Sequence, residues 1–283
     1  MQPITLYLDG MCLLHRAASG FCAGDHYIAF NFLRSLKALI EKFSPTRVIM
    51  ILEGSSSHRK QIDPQYKSNR DASKQDPSSV SFYSQAKEVI NLISESFPIS
   101  VLSHPELEAD DVIARLVRKA SRSVKSIIVS TDRDYLQLVS ELGDSVQVYD
   151  PIKKDFLFVP PGVGSFLVYR SLKGDASDCI PRLEDDATAA ELSSDSDLLK
   201  NYLLQLSEEK LSRFEMNMQL LQFADPADGE DGWLRLQCSN PKRDWAAVAL
   251  WFTMWEFKSI MKDIAKFIAP FETLWASTIS AER

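Results

Sequence analysis

Four short aliphatic runs in this chain are each followed closely by carboxylates, and helix-spaced stretches separate them. The runs cover residues 4–8 (ITLYL), 48–52 (VIMIL), 99–102 (ISVL) and 126–130 (SIIVS). Each reads as a buried strand. Helical spacing covers 27–43, with Ile28, Phe32, Leu36, Leu39 and Ile40 on one side, and 80–96. It returns at 108–120, where Val112, Ile113, Leu116 and Val117 face inward, and at 135–139. Strands alternating in this way with helices predict a mostly parallel α/β sheet flanked by helices on both faces. Residues 146–149 and 156–159 predict an edge hairpin. From 163 onward the pattern is all-helical, at 163–172, 197–206, 209–223, 245–257 and 259–268, with loops at 184–197 and 224–232. The expected division is an α/β domain over 1–162 and a helical C-terminal subdomain over 163–283. Segment 73–81 reads as a mobile loop, and the aromatics of the tail (Trp245, Trp251, Phe252, Trp255, Phe257) as helix packing.

Where the acids fall is the second constraint. Asp9 follows the first strand, Glu53 the second, and Asp132 and Asp134 the fourth; Glu108, Asp110 and Asp111 open the helix after the third. Ligands of open α/β sheets gather beyond the carboxyl ends of the strands, so these four clusters share one edge of the fold. Acids are also favoured as solvated groups at helix N-termini, but four clusters at one edge outweigh that reading. With Asp175 and Asp178 the set numbers nine. Nine converging carboxylates need positive charge among them, and hard divalent cations with oxygen ligands supply it. Two such ions about 3.5–4 Å apart are the usual device for cutting phosphodiesters. The expectation is a metal-dependent nuclease.

A net charge of −7 runs against a nucleic-acid binder. Two divalent ions would offset four charges and leave about −3, and distribution then matters more than the sum. Residues 55–75 carry five bases (Arg59, Lys60, Lys67, Arg70, Lys74) against Asp63 and Asp71. The four cysteines form no CxxC pair, and the four histidines (His15, His26, His58, His104) no metal-spaced cluster. No apolar run is long enough for a membrane helix and the N-terminus lacks a signal core, so a reduced cytoplasmic setting is expected. A phosphatase with an aspartate after its first strand needs a second one two residues later, where this chain has Met11.

Several blocks now line up in one order. LEADDVIARL (107–116), STDRDYLQLV (130–139) and SLKGDASDCIP (171–181) resemble the signature blocks of the 5′-nuclease superfamily, and HRKQIDPQYKSNR (58–70) resembles its arginine and tyrosine-lysine element. That superfamily includes flap endonucleases and the 5′-exonuclease domain of bacterial DNA polymerase I. Beyond Pro181 the likeness thins and runs nearest to the T-even phage RNase H. The resemblance implies a PIN-like sheet with a helical arch over about 55–80. It implies a first metal among Asp9, Glu108, Asp110 and Glu53 with Asp111 nearby, and a second among Asp132, Asp134, Asp175 and Asp178. Both ions would be Mg2+, replaceable by Mn2+. It further implies that Lys67, Arg70 and Asp132 are catalytic, Arg70 lying one helical turn after Lys67. Arg59, Lys60 and Arg16 would hold phosphates, and Tyr66 would stack on an unpaired base. The implied substrates are DNA with a 5′ flap or 5′ end and an RNA–DNA hybrid primer, cut by a monomer during replication. A single-strand-binding protein or sliding clamp would recruit it, and its source would be a phage. The alternative is a catalytically inactive nucleic-acid-binding relative. Two departures stand out. The family has aspartate where this chain has Glu53, and residues 181–186 (PRLEDD) lack the glycines of a backbone grip on duplex phosphate.

Overall fold

The computed structural model describes residues 2–22, 24–71 and 77–281, the side chains of 70, 71, 77–79 and 281 excepted. Strand β1 (Ile4–Asp9) lies at the centre of a seven-stranded sheet, with β2 (Arg47–Leu52) and β3 (Ser100–Ser103) on one side. On the other side lie β4 (Lys125–Val129), β5 (Val146–Asp150) and β6 (Asp155–Leu157). Strands β1 to β5 run parallel; β6 turns back on β5 as the expected edge hairpin. Strands β1, β2 and β4 are continuously buried through their middles, the pattern of a sheet covered on both faces.

One face is covered by α1 (Gly10–Ala18), α2 (Tyr27–Phe43) and α5 (Pro77–Ser96). The other is covered by α6 (Ala109–Lys119), α7 (Leu136–Leu142) and α8 (Phe166–Lys173). Two short helices, α3 (Ser57–Ile62) and α4 (Ser68–Asp71), occupy the described part of the expected arch. Residues 73–76 of the expected 73–81 loop lie outside the described residues, and the chain is helical from Pro77.

The expected all-helical C-terminal half is corrected in three ways. Strand β7 (Gln237–Ser239) pairs antiparallel with β3 and ends the sheet. Within the expected loop at 184–197, α9 (Asp186–Ser194) forms because Asp185 caps it, accepting from the Ala187 and Thr188 N–H groups. Beyond α10 (Ser196–Gln205) and α11 (Glu208–Leu221), the last helices are α12 (Trp245–Met254), α13 (Lys258–Met261) and α14 (Ile264–Ala281). Their Phe252, Phe257, Phe267 and Phe271 share one core with Leu36 and Phe97 of the sheet-covering layer, so the tail completes that layer and has no separate core. Among the described residues no helix is long and apolar enough to cross a membrane.

Candidate active site

Strand order reverses at β1, whose neighbours β4 and β2 lead away in opposite directions, and the acids gather at that edge. Asp9 ends β1 and caps α1: its Oδ1 accepts from the Cys12 N–H (3.0 Å) and its Oδ2 from the Ser130 hydroxyl (2.9 Å) beyond β4. Glu53 follows β2 and is succeeded by Gly54, where a Cβ would stand 1.9 Å from the His104 carbonyl oxygen. Only glycine permits that approach, which brings Glu53 Oε2 to the Ala109 N–H (3.3 Å) at the start of α6. Glu108 caps α6, and Asp110 and Asp111 fill its first turn. In the loop after β4, Asp132 Oδ1 accepts from the Asp134 N–H (2.8 Å). Gly174, at φ 73°, reverses the chain after α8, and Asp175 caps the turn Ala176–Asp178 that holds Asp178.

Eight of the nine acids line one cleft of about 810 Å³, with Arg16, Lys60 and Lys67 on its wall. The exception is Asp111, which lies behind the cleft lining. Its Oδ1 accepts from Arg59 Nη2 (2.6 Å) and the Ala224 N–H (2.7 Å), and its Oδ2 from Arg59 Nη1 (3.1 Å) and the Glu108 N–H (3.2 Å). Four bonds use the acceptor capacity of a carboxylate. Although the carboxylates of Glu108, Asp110 and Asp111 lie within 4.8 Å of one another, a guanidinium fills the gap between the outer two.

Two of the expected DNA contacts are corrected as well. Arg59 is 1% exposed and fully engaged: Nε donates to the Leu220 carbonyl (3.0 Å) and Nη1 to Glu108, tying α3 to α6 and α11. It is an internal clamp and does not face a phosphate. Tyr66, 4% exposed, packs on Ile180, Leu220 and Leu221 and points its hydroxyl at Glu108 (3.4 Å), which leaves no ring face for a base. Lys67 precedes α4 in a left-handed conformation (φ 53°) and is not part of that helix; the expected role of Arg70 falls on a side chain outside the described residues. Lys67 lines the cleft, and its Nζ donates to Glu108 Oε1 at 2.7 Å.

Charge is unevenly compensated. Burial pushes Asp9 up to about 6, opposed by the Cys12 and Ser130 hydrogen bonds and helped by repulsion from Asp132 and Asp110. Glu53 is pushed to about 8 by its surroundings and by repulsion from Glu108, Asp110 and Asp9. Its side chain opens to solvent at the cleft mouth, where water screens part of that repulsion. Burial also raises Asp110 and Asp132. Glu108 goes the other way: burial would raise it, but Arg59 and Lys67 together hold it below the usual carboxylate range.

Arg170 was not expected. It sits on α8 immediately before the SLKGDASDCIP block; Nε donates to Asp134 Oδ1 (2.9 Å) and Nη2 to Asp175. The only trace in the sequence was a cation five residues ahead of Asp175. A second unexpected feature is a groove of about 730 Å³ bearing Arg34, Lys42 and Lys154, which meets the cleft at Arg16, Ser19 and Ile152. Arg16 is held there by a bond from Nη1 to the Ser35 hydroxyl (2.9 Å).

The chain matches the family described as "5′-3′ exonuclease, N-terminal resolvase-like domain" over residues 5–163. It is 28% identical to a 5′-3′ exonuclease of Aquifex aeolicus, across 93% of this chain and 96% of that protein. Among solved structures, the T5 D15 protein co-crystallised with metal ions superposes with a TM-score of 0.67 at 18% identity, over 81% of this chain and 95% of that one. The bacteriophage T5 D15 flap endonuclease in a complex with DNA and metal ions gives 0.60 at 19% identity, over 77% and 86%. At such identities the structural likeness is one of fold.

Proposed function

The chain belongs to the 5′-3′ exonuclease family by its match over residues 5–163, and on that premise we propose that it is a structure-dependent 5′-nuclease. It would hydrolyse phosphodiesters near 5′ ends and flaps of DNA, and remove annealed RNA primers during replication. One observation carries this reading. Carboxylates from the ends of β1, β2 and β4, from the start of α6 and from the turn after α8 meet in a single cleft beside Lys67.

The donor set suits hard divalent ions: it is all carboxylate oxygen, and burial and mutual repulsion raise Asp9, Asp110 and Asp132 despite Lys67 and Arg170 nearby. Asp9, Glu108 and Asp110, with Glu53 at the mouth, would hold one Mg2+, and Asp132, Asp134, Asp175 and Asp178 the other. Bound there, the ions supply Lewis acidity that makes water a nucleophile near neutral pH and stabilises charge on the attacking and leaving oxygens. Ser130 and the start of α1 fix the Asp9 carboxylate from both sides, so it presents one orientation. Lys67 keeps its proton: burial would lower it, but Glu108 and its neighbours raise it. It thereby offers a permanent cation to a phosphate at the cleft wall. Lys60 adds a second on the same wall.

Beside the cleft, the groove bearing Arg16, Arg34, Lys42 and Lys154 has no carboxylate on its wall. Among the described residues none of these four is within ion-pair distance of an acid; Lys42 Nζ donates instead to the Tyr149 hydroxyl (2.9 Å). In a chain of net charge −7 this supports a path for a nucleic-acid strand held through its phosphates.

The test is product-length analysis on 5′-labelled flap, nicked and RNA-primed duplexes, with Mg2+ and with chelator. Short 5′ products that need Mg2+ are expected. In Asp132→Asn, cleavage should fall at least about a thousandfold, the scale of about 4 kcal/mol of lost transition-state stabilisation, with DNA binding kept. Binding without cleavage by the wild type would instead favour the inactive nucleic-acid-binding relative.

A further inference from the structure

Tyr135 lies between the acids of the cleft and the core beneath them, and its hydroxyl is anomalous. The side chain is 1% exposed, its ring stacks on Phe223 with centroids 6.1 Å apart and planes 27° from parallel, and it forms part of the cleft floor. Among the described residues no hydrogen-bond partner reaches its hydroxyl. Other tyrosines here are paired: Tyr66 with Glu108, Tyr149 with Lys42, Tyr202 with Glu184. A buried hydroxyl without a partner costs about 1–3 kcal/mol, and phenylalanine would fill the same volume without that cost. Packing alone therefore does not account for the oxygen.

Its surroundings suggest what does. Tyr135 lines the same cleft as Asp9, Glu53 and Asp132, from three strand ends, and Asp110, from the start of α6. They are acceptors only when ionised, and a phenol hydroxyl can donate to them. We propose that Tyr135 is a positioning residue of the divalent-ion site, donating its hydrogen bond to a carboxylate of the Asp9, Asp110 and Asp132 group once these side chains gather on the ions. This rests on the metal reading given above. Groups that orient metal ligands from behind typically matter 10- to 100-fold in affinity.

The experiment reads metal binding and not turnover. Mn2+ alone is titrated by electron paramagnetic resonance into wild type, Tyr135→Phe and Tyr202→Phe, and each protein is melted with chelator and with Mn2+. Expected for Tyr135→Phe is Mn2+ affinity about tenfold weaker, a smaller upshift of Tm on adding Mn2+, and a Tm in chelator equal to or above wild type. Tyr202→Phe should bind Mn2+ as wild type does. Wild-type affinity in Tyr135→Phe would overturn the proposal, as would equal weakening in Tyr202→Phe. A drop in chelator Tm with metal affinity preserved would show the hydroxyl to be structural. A wild type that binds no Mn2+ would overturn the metal reading itself, a result distinct from any of these.

Discussion

The two halves of the carboxylate cleft are compensated in different ways. On the α6 side, Arg59 is sealed beneath the acids, its side chain 2% exposed, and clamps Glu108 and Asp111, whose side chains are 4% and 0% exposed. On the α8 side, Arg170 stands beside the acids, 13% exposed, and bridges Asp134 and Asp175 at 13% and 18%. A buried guanidinium with no alternative partner commits its acids to structure. One near solvent can exchange an acid for an incoming ion, because water takes over part of the charge. The same residue types therefore form a framework on one side and an adaptable shell on the other.

The largest effect should separate the two arginines. Arg59→Met leaves two buried carboxylates without their cation and should cost about 3–5 kcal/mol of stability. Arg170→Met, at a partly hydrated site, should cost about 1–2 kcal/mol. Urea unfolding of both variants measures this, and equal losses would break the comparison. Next come the acids. Asp111→Asn should lower stability by about 2–3 kcal/mol through its lost charge-assisted bonds while Mn2+ affinity is retained. Asp178→Asn should weaken Mn2+ binding with little loss of stability. An Asp111→Asn protein that fails to bind metal while folding normally would return that residue to the metal shell.

The last test is the response to pH in the presence of chelator. The folded value of Asp9 is raised to about 6 from 3.8, so between those values the folded state binds more protons than the unfolded. Its contribution to stability is complete below about pH 4 and is lost as pH rises through 6, worth about 2–3 kcal/mol. Glu53, raised to about 8, acts in the same direction at higher pH, reduced by its exposure. Glu108 and Asp175 have the opposite sign. Burial would raise each, but Arg59 and Lys67 hold Glu108 down, and Ser177 and Arg170 hold Asp175 down. Their contribution disappears as pH falls below the carboxylate range. Chelated protein should therefore be most stable near pH 5, and added Mg2+ should raise Tm more at pH 8 than at pH 6. Melts that are flat from pH 5 to 8 would show the strand-end acids to be compensated as fully as Glu108.

The parallel sheet, its order of elements and the shared edge of the acids were legible because they depend on local periodicity and on where each strand stops. ITLYL, VIMIL and SIIVS could be little else than buried strands, and an acid following such a strand has few places to go. The missed elements depend on partners far along the chain. Gln237–Ser239 is too short to declare itself and is a strand only because β3 offers it an edge. The helix at Asp186–Ser194 depends on one cap in a polar stretch.

The sequence by itself therefore determined the architecture and the set of acids, since both follow from spacing within a few residues. Only the tertiary structure decided which charges meet. Arg59 looked like a surface cation in a basic run until Leu220 and Asp111, 161 and 52 residues away, enclosed it. Tyr135 was only the start of a short helical stretch until its buried hydroxyl proved to lie at the acid cleft without a partner. Charge pairing and burial are properties of distance in space, and a linear chain does not carry them.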